Sequence, residues 1–242
     1  MAYRINKGKP TKLDKLRWSF IHRGPRRLVT VESLNGLVTF DSKDNVIGKQ
    51  IFFRRYWDVD EVKNIIRLLV DDGYIDTQRP GIALNIGANI GLIVLAQKRH
   101  TIFEHAIAFE PVPSNYDILV KNISQNGYSE DVECLQMALS SEDGEIDMEL
   151  SGENFGDHRV RSSKKKGDFG EEQRDVVRVK VGRLDSLISQ GRFDDEQPGL
   201  IWVDIQGHEG DFFKGAREVI TRYHVPVASE FWPYGIKRAG WS

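Results

Sequence analysis

The amino-acid sequence predicts an α/β fold with a mostly parallel sheet. Short apolar runs at residues 82–86, 105–110 and 200–204 are each followed by a turn and then by apolar residues at helical spacing. Runs this short and this apolar are typical of parallel strands that helices bury on both faces. Strand-like segments between residues 28 and 53 precede them, which predicts an additional small N-terminal β element.

Length and composition fit one globular domain, or one domain with an arm. The chain has 242 residues, of which 40% are hydrophobic and 29% charged, and its formal net charge of -2 gives no sign of nucleic-acid binding. Its single cysteine, Cys134, excludes an internal disulfide framework and fits a reducing compartment. No apolar run reaches the roughly 20 residues that span a bilayer, and the first residues lack the apolar segment of a signal peptide. We therefore expect a cytoplasmic protein, whose oligomeric state the composition does not predict.

Residues 1–30 form a basic N-terminal arm. They contain one acid, Asp14, and the following cations: Arg4, Lys7, Lys9, Lys12, Lys15, Arg17, Arg23, Arg26 and Arg27. The arm could dock on an anionic surface, such as a partner, a membrane face or a phosphorylated substrate. The alternative is a solvated, partly disordered arm, and we expect it to be mobile without ligand.

Residues 31–73 are predicted to form an accessory β element and a leading helix. The strand-like runs LVTVE, GLVTF and QIFFR, between residues 28 and 54, are divided by two turn signals, NG and DN. Residues 58–70 carry apolar side chains at helical spacing, and this helix should end near Gly73. Tyr56 and Trp57 precede the helix and could reach the cofactor pocket, although core packing is favoured for both.

A glycine turn follows the first buried strand, and we expect the rest of the chain to be organised around it. Residues 82–91 read IALNIGANIG, so that Gly87 and Gly91 enclose a tripeptide and a helix is predicted to begin near Asn89. Glycine permits backbone angles and a close ligand approach that a Cβ would block. The turn therefore indicates a nucleotide-type cofactor, although it lacks the middle glycine of the dinucleotide fingerprint. A simple strand-to-helix connection is the alternative.

A carboxylate follows the second apolar run. Glu110 ends residues 105–110 and lies about 20 positions after Gly91, and Pro111 then stops the strand. A carboxylate at this point of an α/β fold can accept hydrogen bonds from both hydroxyls of an adenosine ribose. The same observation is compatible with an NAD(P)-dependent oxidoreductase, against which the missing glycine counts.

Three motifs occur in order along the chain: NIGANIG at residues 85–91, AFEPVPSN at residues 108–115 and VDIQGHE at residues 203–209. Together they resemble the FkbM family of S-adenosylmethionine-dependent methyltransferases, over roughly residues 74–232. The resemblance implies a three-layer, Rossmann-like class I methyltransferase fold over residues 74–242, with the family's C-terminal strands expected to be absent. It also implies S-adenosylmethionine as the cofactor and a hydroxyl of a small molecule, sugar or natural product as the acceptor.

The implied cofactor site lies at the carboxyl ends of the predicted strands. Met137 and Ala138, which end a third strand at residues 132–139, are candidates for the adenine side, with ordinary core packing as the alternative. The full set is Asn85, Gly87, Ala88, Asn89, Gly91, Glu110, Pro111, Asn115, Met137, Ala138 and Asp204.

The candidate catalytic residues are Asp204, His208, Glu209 and Glu230. An imidazole with an unperturbed pKa near 6.5 suits proton removal, so His208 could be the base or a substrate contact, or else a solvent-exposed start of a helix. Asp204 could contact the sulfonium end of the cofactor, orient a base, accept the proton or cap a helix. The carboxylates could also hold a divalent cation, but their spacing is not a specific metal motif and we predict no metal site.

The acceptor pocket is expected beyond Asp204 and His208. Aromatic residues after a fifth predicted strand at residues 226–231 would wall it, or would instead cover an open sheet edge. Trp202 stands where the resembling family commonly has a lysine. The candidate substrate residues are Trp202, Gln206, Phe231, Trp232 and Tyr234.

The polar segment at residues 152–175 separates two predicted strands, residues 146–150 and 176–181. It carries few apolar residues and includes Lys164, Lys165, Lys166, Gly167 and Gly170, which predicts a disordered loop or a lid over the substrate, mobile without ligand. A non-catalytic module that keeps the cofactor pocket and works through its basic arm is the last alternative reading of the chain.

Overall fold

The N-terminal part of the chain folds into a helix, a β-hairpin and two further helices. The computed structural model describes residues 10–162, 166–191 and 197–241. In chain order the first elements are α1 Lys12–Arg23, β1 Leu28–Ser33, β2 Gly36–Asp41, α2 Ile47–Arg54 and α3 Val59–Asp71. β1 and β2 pair antiparallel, and α3 follows the predicted leading helix closely.

Part of the basic arm is an ordered helix. Thr11 and Asp14 form a capping box at the start of α1. Trp18 in this helix is buried, and its ring packs against Phe52 of α2. The expectation of a partly disordered arm is therefore wrong for α1, whereas the cations at residues 4–9 lie outside the described residues.

The third strand predicted in the accessory element is wrong, because these residues belong to α2. The buried carboxylate of Asp44 accepts hydrogen bonds from three backbone N–H groups at the start of this helix. Ile47 and Ile51 lie one helical turn apart and are both buried. A short apolar run fits a strand or a helix equally well in sequence, and here the cap and the core contacts select the helix.

The remaining elements follow in chain order. They are β3 Ile82–Ile86, α4 Leu92–His100, β4 Ala106–Phe109, α5 Pro113–Gln125, β5 Val132–Leu135, β6 Ala138–Leu139, β7 Gly144–Leu150, β8 Arg159–Val160, β9 Asp175–Gly182, α6 Leu184–Ser189, β10 Pro198–Val203, α7 Glu209–Gly215, α8 Arg217–Tyr223, β11 Val227–Ser229 and α9 Pro233–Arg238. The helix predicted to begin near Asn89 starts at Leu92, because Asn89 and Gly91 both have left-handed backbone angles, with φ of 51° and 88°.

A five-stranded sheet in the order β11-β10-β3-β4-β5 forms the centre of the structure. Every neighbouring pair in this sheet is parallel. The chain order reverses between β3 and β10, and in such sheets ligands bind at this switch point, beyond the carboxyl ends of the strands.

Helices cover both faces of this sheet, which gives three layers. Successive side chains of a strand point to opposite faces, and β3 shows the consequence. Ala83 packs with residues of α3, α4 and α5 in one buried cluster. Leu84 packs with residues of α6, α7 and α8 in the other. The predicted three-layer, Rossmann-like fold with a mostly parallel sheet is confirmed.

A second, four-stranded sheet has the order β6-β9-β7-β8. The predicted pairing of residues 146–150 with residues 176–181 is confirmed, because β7 and β9 are antiparallel neighbours. The strand predicted at residues 132–139 is divided, since β5 belongs to the central sheet and β6 pairs with β9 in the second sheet.

The polar segment at residues 152–175 contains buried structure, which the sequence analysis did not expect. The side chain of Arg159, in β8, is only 4% exposed and lies near the carboxylates of Glu149, Asp157 and Glu171. A buried charge is tolerated where opposite charges surround it. Lys164 and Lys165 lie outside the described residues.

Buried asparagine side chains attach the N-terminal hairpin to the body of the protein. Asn35, in the turn between β1 and β2, donates to the carbonyl oxygens of Trp57 and Leu92 and accepts from the Trp57 N–H group. Asn122 of α5 bonds both backbone groups of Thr39 in β2. These amides join segments that are far apart in the sequence.

We predict that Asn35→Ala lowers the free energy of unfolding by about 3 kcal/mol, because it leaves buried backbone groups at Trp57 and Leu92 without their partners. Urea denaturation measures the change. Asn64→Ala, at an exposed position of α3, is the matched control and should change stability by less than about 0.5 kcal/mol. Equal stability of the two variants would contradict this role of Asn35.

Candidate active site

The carboxyl ends of β3, β4 and β10 are joined by backbone hydrogen bonds. The Asp204 N–H group, just after β10, donates to the Ile86 carbonyl oxygen at the end of β3 (3.0 Å). The N–H groups of Gly87 and Ala88 donate to the Phe109 carbonyl oxygen at the end of β4 (3.0 and 2.9 Å). The residues that follow these three strands are therefore held in one crevice.

Gly87 is required by the approach of two chain segments. Its φ is 83°, and a Cβ at this position would collide with the carbonyl oxygen of Asp204. The sequence predicts that the missing Cβ of Gly87 leaves room for a ligand. In the structure it also leaves room for the turn that follows β10. Gly91, another predicted cofactor residue, lines neither cavity described below, because it is packed against Leu119.

Glu110 presents a buried carboxylate at the end of β4, with 4% of its surface exposed. One carboxylate oxygen accepts from the Asn89 N–H group (2.9 Å) and the other from the Val112 N–H group (2.8 Å). Burial raises the pKa of Glu110 to about 7, against the smaller opposing effect of the two N–H donors. The carboxylate thus fixes the glycine turn while it faces a cavity.

This first cavity is narrow and lies beside Glu110. Apolar side chains form much of its wall, and the predicted adenine-side residues Met137 and Ala138 are among them. Pro111 and Asn115, both predicted cofactor residues, also line it. The side-chain oxygen of Asn115 is buried and has no hydrogen-bond partner among the described residues. The cavity wall therefore contains a hydrogen-bond acceptor to which no described group donates.

A loop after β7 covers the first cavity. The backbone carbonyl of Phe155 accepts hydrogen bonds from the side-chain amides of Asn89 (3.1 Å) and Asn115 (2.9 Å). His158 lines the same cavity, and burial lowers its pKa to about 4, so that its imidazole is neutral at pH 7. The sequence does not indicate that Phe155 or His158 belongs to the site. Their two rings, within a largely polar segment, are the local signal that could have indicated it.

A second, larger cleft adjoins the first cavity. The two share five lining residues: Ile86, Gly87, Asn89, Gly156 and Asp204. The predicted substrate residues Trp202 and Gln206 line the second cleft, as do Asn85 and Ala88 from the predicted cofactor set. Trp57, Asp58 and Glu61 also line it, although the sequence favoured core packing for Trp57 and indicated no site role for the two acids.

Asp204 stands at the junction of the two spaces. Its carboxylate accepts from the Gln206 amide (2.6 Å), and the same amide donates to the Glu230 carboxylate (2.9 Å). Solvent reaches Asp204 through the open cleft, yet surrounding protein atoms desolvate its carboxylate. This desolvation raises the pKa of Asp204, and the neighbouring charge of Glu230 raises it further. Two candidate catalytic carboxylates are therefore brought together here.

His208 lines the first cavity and not the second cleft. It is 8% exposed, so the alternative of a solvent-exposed helix start is wrong, whereas its role as a base or substrate contact stays a prediction. Its Nε2 atom is 2.8 Å from the Ser140 hydroxyl oxygen, and burial lowers the pKa of its imidazole. The residues just after β6 lie against the start of α7, where the Ser141 hydroxyl also donates to the Asp211 carboxylate (3.3 Å).

Glu209 fixes the turn that carries Asp204. Its side chain is buried, and one carboxylate oxygen accepts from the N–H groups of Ile205 (3.3 Å) and Gly207 (3.2 Å). Between them, Gln206 adopts a left-handed backbone conformation with φ of 55°. Glu209 lines neither of the two spaces, and its contacts position the turn that carries Asp204.

The aromatic residues after β11 do not wall the second cleft. Phe231 is 78% exposed and lines neither space. The ring of Trp232 lies 4.7 Å from the buried Arg159 guanidinium carbon, and the Tyr234 hydroxyl donates to the Glu171 carboxylate (2.7 Å). These contacts with Arg159 and Glu171 hold the rings of Trp232 and Tyr234 away from the position that the sequence predicts.

Comparison with known proteins gives consistent matches. Residues 85–237 match a family model described as the methyltransferase FkbM domain. The chain is 30% identical over 175 residues to methyltransferase sdnD of Sordaria araneosa, an alignment that covers 64% of this chain and 68% of that relative. It is 26% identical over 219 residues to hexuronic acid methyltransferase AglP of Haloferax volcanii, covering 89% of this chain and 80% of the relative.

Similarity to solved structures is weaker. Methyltransferase FkbM from Methylobacillus flagellatus KT aligns with a TM-score of 0.42 and 18% identity over 62% of this chain. The alignment spans 32% of that longer protein. A SAM-dependent methyltransferase from Agrobacterium tumefaciens aligns with a TM-score of 0.44 and 9% identity, covering 87% of this chain and 55% of the other.

Proposed function

The chain belongs to the FkbM methyltransferase family, and on that premise we propose that it transfers a methyl group to a neutral hydroxyl oxygen of a small molecule or sugar. Its cofactor is S-adenosylmethionine. The observation that carries the proposal is the junction at Asp204, where a narrow cavity beside Glu110 opens into an acidic cleft. Family membership disfavours the alternative of an NAD(P)-dependent oxidoreductase.

The residues of the first cavity fit the adenosine part of the cofactor. Glu110 offers a buried carboxylate to the ribose hydroxyls, and the unpartnered Asn115 oxygen can accept a further donor. Met137 and Ala138 supply an apolar wall for the adenine ring.

When bound, the cofactor supplies a methyl group on a sulfonium centre, which is already a strong electrophile. The protein must therefore chiefly hold the acceptor in line and exclude water. Asp204 lies where the two spaces meet, and in the proposed reaction its carboxylate accepts the hydroxyl proton of the acceptor. A raised pKa suits this role, because a base is most effective when its pKa lies near the operating pH.

The charge of the second cleft supports a neutral acceptor. Its lining includes Asp58, Glu61, Asp204 and Glu230, and the described lining residues include no lysine, arginine or histidine. An acceptor carboxylate would enter this field without a cationic partner and would be repelled. A relative named for hexuronic acid has a substrate with both hydroxyl and carboxylate oxygens, and the acidic cleft favours hydroxyl oxygens in this protein.

Cofactor affinity should depend on the ionisation of Glu110. Because burial raises the pKa of Glu110 to about 7, the carboxyl is ionised above this pH and protonated below it. We predict that S-adenosylhomocysteine binds about tenfold more weakly at pH 6 than at pH 8, since ribose hydroxyls need the ionised acceptor. Isothermal titration calorimetry measures both dissociation constants.

Glu110→Gln should weaken the binding of S-adenosylhomocysteine at pH 8 by about 30-fold or more, because charge-assisted hydrogen bonds are lost. The same substitution should remove the pH dependence of binding. Glu104→Gln, at an exposed position before β4, is the control and should bind normally. Normal binding by Glu110→Gln would reject Glu110 as the ribose contact. Tight binding of NADH, together with no heat of binding from S-adenosylhomocysteine, would reject S-adenosylmethionine as the cofactor.

The acceptor class can be tested with methyl glycosides of neutral hexoses and of the matching hexuronic acids. We predict that the neutral glycosides release S-adenosylhomocysteine and yield alkali-stable methyl ethers, because the acidic cleft admits uncharged hydroxyls. An alkali-labile methyl ester formed on the hexuronic acids would contradict this choice of oxygen. Cofactor binding without turnover on either panel would instead support the non-catalytic alternative.

Asp204→Asn should lower turnover on an accepted glycoside by about 100-fold or more while the dissociation constant of S-adenosylhomocysteine stays within about threefold. In the unsubstituted enzyme, turnover should rise with pH through the raised pKa of Asp204, because only the ionised carboxylate accepts a proton. Asp71→Asn, at the exposed end of α3, is the control. A turnover equal to that of this control would exclude Asp204 as the base.

A further inference from the structure

The outward face of α1 carries large apolar side chains that no part of the described structure covers. Leu13, Leu16 and Phe20 are 53%, 68% and 78% exposed. Their spacing of three and four positions places them on one side of the helix, since an α-helix has 3.6 residues per turn. Trp18, which packs into the protein, lies on the opposite side.

Cations flank this apolar stripe on both sides. By helical spacing, Arg17 lies along one border, and Lys12 and Arg23 lie along the other; all three are exposed. The acid within α1 is Asp14, whose carboxylate is engaged in the capping box with Thr11. We call Leu13, Leu16, Phe20, Lys12, Arg17 and Arg23 together the α1 face.

The helix is held firmly to the protein beneath it. The Trp18 ring packs 5.5 Å from the Phe52 ring of α2 and 6.0 Å from the Phe53 ring. Lys43 donates to the carbonyl oxygens of His22 and Gly24 at the end of α1 (2.6 and 2.7 Å). Whatever binds the α1 face therefore binds the whole protein rather than a tethered arm.

We propose that the α1 face docks on the surface of an anionic lipid bilayer. The combination of an apolar stripe with cationic borders matches the boundary between acyl chains and phosphate groups, where a helix lies in the plane of the membrane. A nucleic acid or an acidic peptide would pair the cations and leave Leu16 and Phe20 in water. No helix in the described parts of the chain is long and apolar enough to cross a membrane, and surface docking requires none.

Sedimentation with vesicles tests the proposal. The probes are vesicles of phosphatidylcholine alone and of phosphatidylcholine with roughly one third phosphatidylserine. We expect the full-length protein to bind the anionic vesicles at least tenfold more tightly, and binding to weaken as salt is added. Equal binding to both vesicles, or no binding to either, would overturn the proposal.

Two variants separate the apolar and cationic contributions. Leu16→Ser with Phe20→Ser should weaken binding to anionic vesicles by about tenfold or more, and Arg17→Gln with Arg23→Gln should do the same. Leu68→Ser, at a 59% exposed position of α3, is the matched control and should bind like the unsubstituted protein. Each variant should keep the circular dichroism spectrum and S-adenosylhomocysteine affinity of the parent, so failure of docking and failure of the proposed function are distinguishable.

Should the double serine variant misfold, Phe20→Cys labelled with an environment-sensitive fluorophore provides a second readout. Label fluorescence should rise and shift to shorter wavelength with anionic vesicles and stay unchanged with neutral ones. An unchanged spectrum with anionic vesicles would overturn insertion of the α1 face. Binding to polyglutamate as tight as to anionic vesicles, and insensitive to the serine substitutions, would identify an acidic polypeptide as the partner instead.

Discussion

The close approach of β3 and β10 is the constraint on which the rest of the site depends. It rests on a backbone hydrogen bond from Asp204 to Ile86 and on the absence of a Cβ at Gly87. The switch in chain order between these strands opens a crevice, and their contact keeps the Asp204 turn against the glycine turn. Glu209 holds the Asp204 turn and Glu110 holds the glycine turn, because each carboxylate accepts a hydrogen bond from a backbone N–H group of its turn. Of these two carboxylates, that of Glu110 also faces the first cavity.

The N-terminal hairpin helps to position the part of the second cleft that is formed by the start of α3. Asn35 holds the backbone of Trp57 beside the first residue of α4, so the start of α3 is positioned by the same helix that follows the glycine turn. Asn122 adds a bond from α5 to the Ile90 carbonyl oxygen within that turn. Residues before β3 therefore form part of the second cleft, and its acidic character arises there, at Asp58 and Glu61, as well as at the strand ends.

The sequence predicts the central sheet well and the surroundings of the site poorly. Buried parallel strands leave a local signal, because each is a short apolar run between turns, and topology alone then brings Gly87, Glu110 and Asp204 together. The covering loop leaves little local signal, since Phe155 meets Asn89 and Asn115 only through folding. The same limitation applies to His208, whose partner Ser140 is remote in the chain, and to Trp232, whose ring lies beside Arg159 of β8. Apolar periodicity did not separate helix from strand at α2, where the Asp44 cap decided the outcome.

The carbonyl group of Phe155 has a kinetic consequence. It is bonded to one amide from the glycine turn and one from α5, so the loop that covers the first cavity is fastened on both sides. The second cleft shares Gly156 of this loop, but it is lined mainly by residues of the segment 85–93, by residues around the start of α3 and by the ends of β10 and β11. In the proposed reaction, a methylated product can leave through that cleft while both bonds remain intact, whereas the spent nucleoside lies beneath the fastened loop. We therefore expect an ordered cycle in which the nucleoside enters first and leaves last.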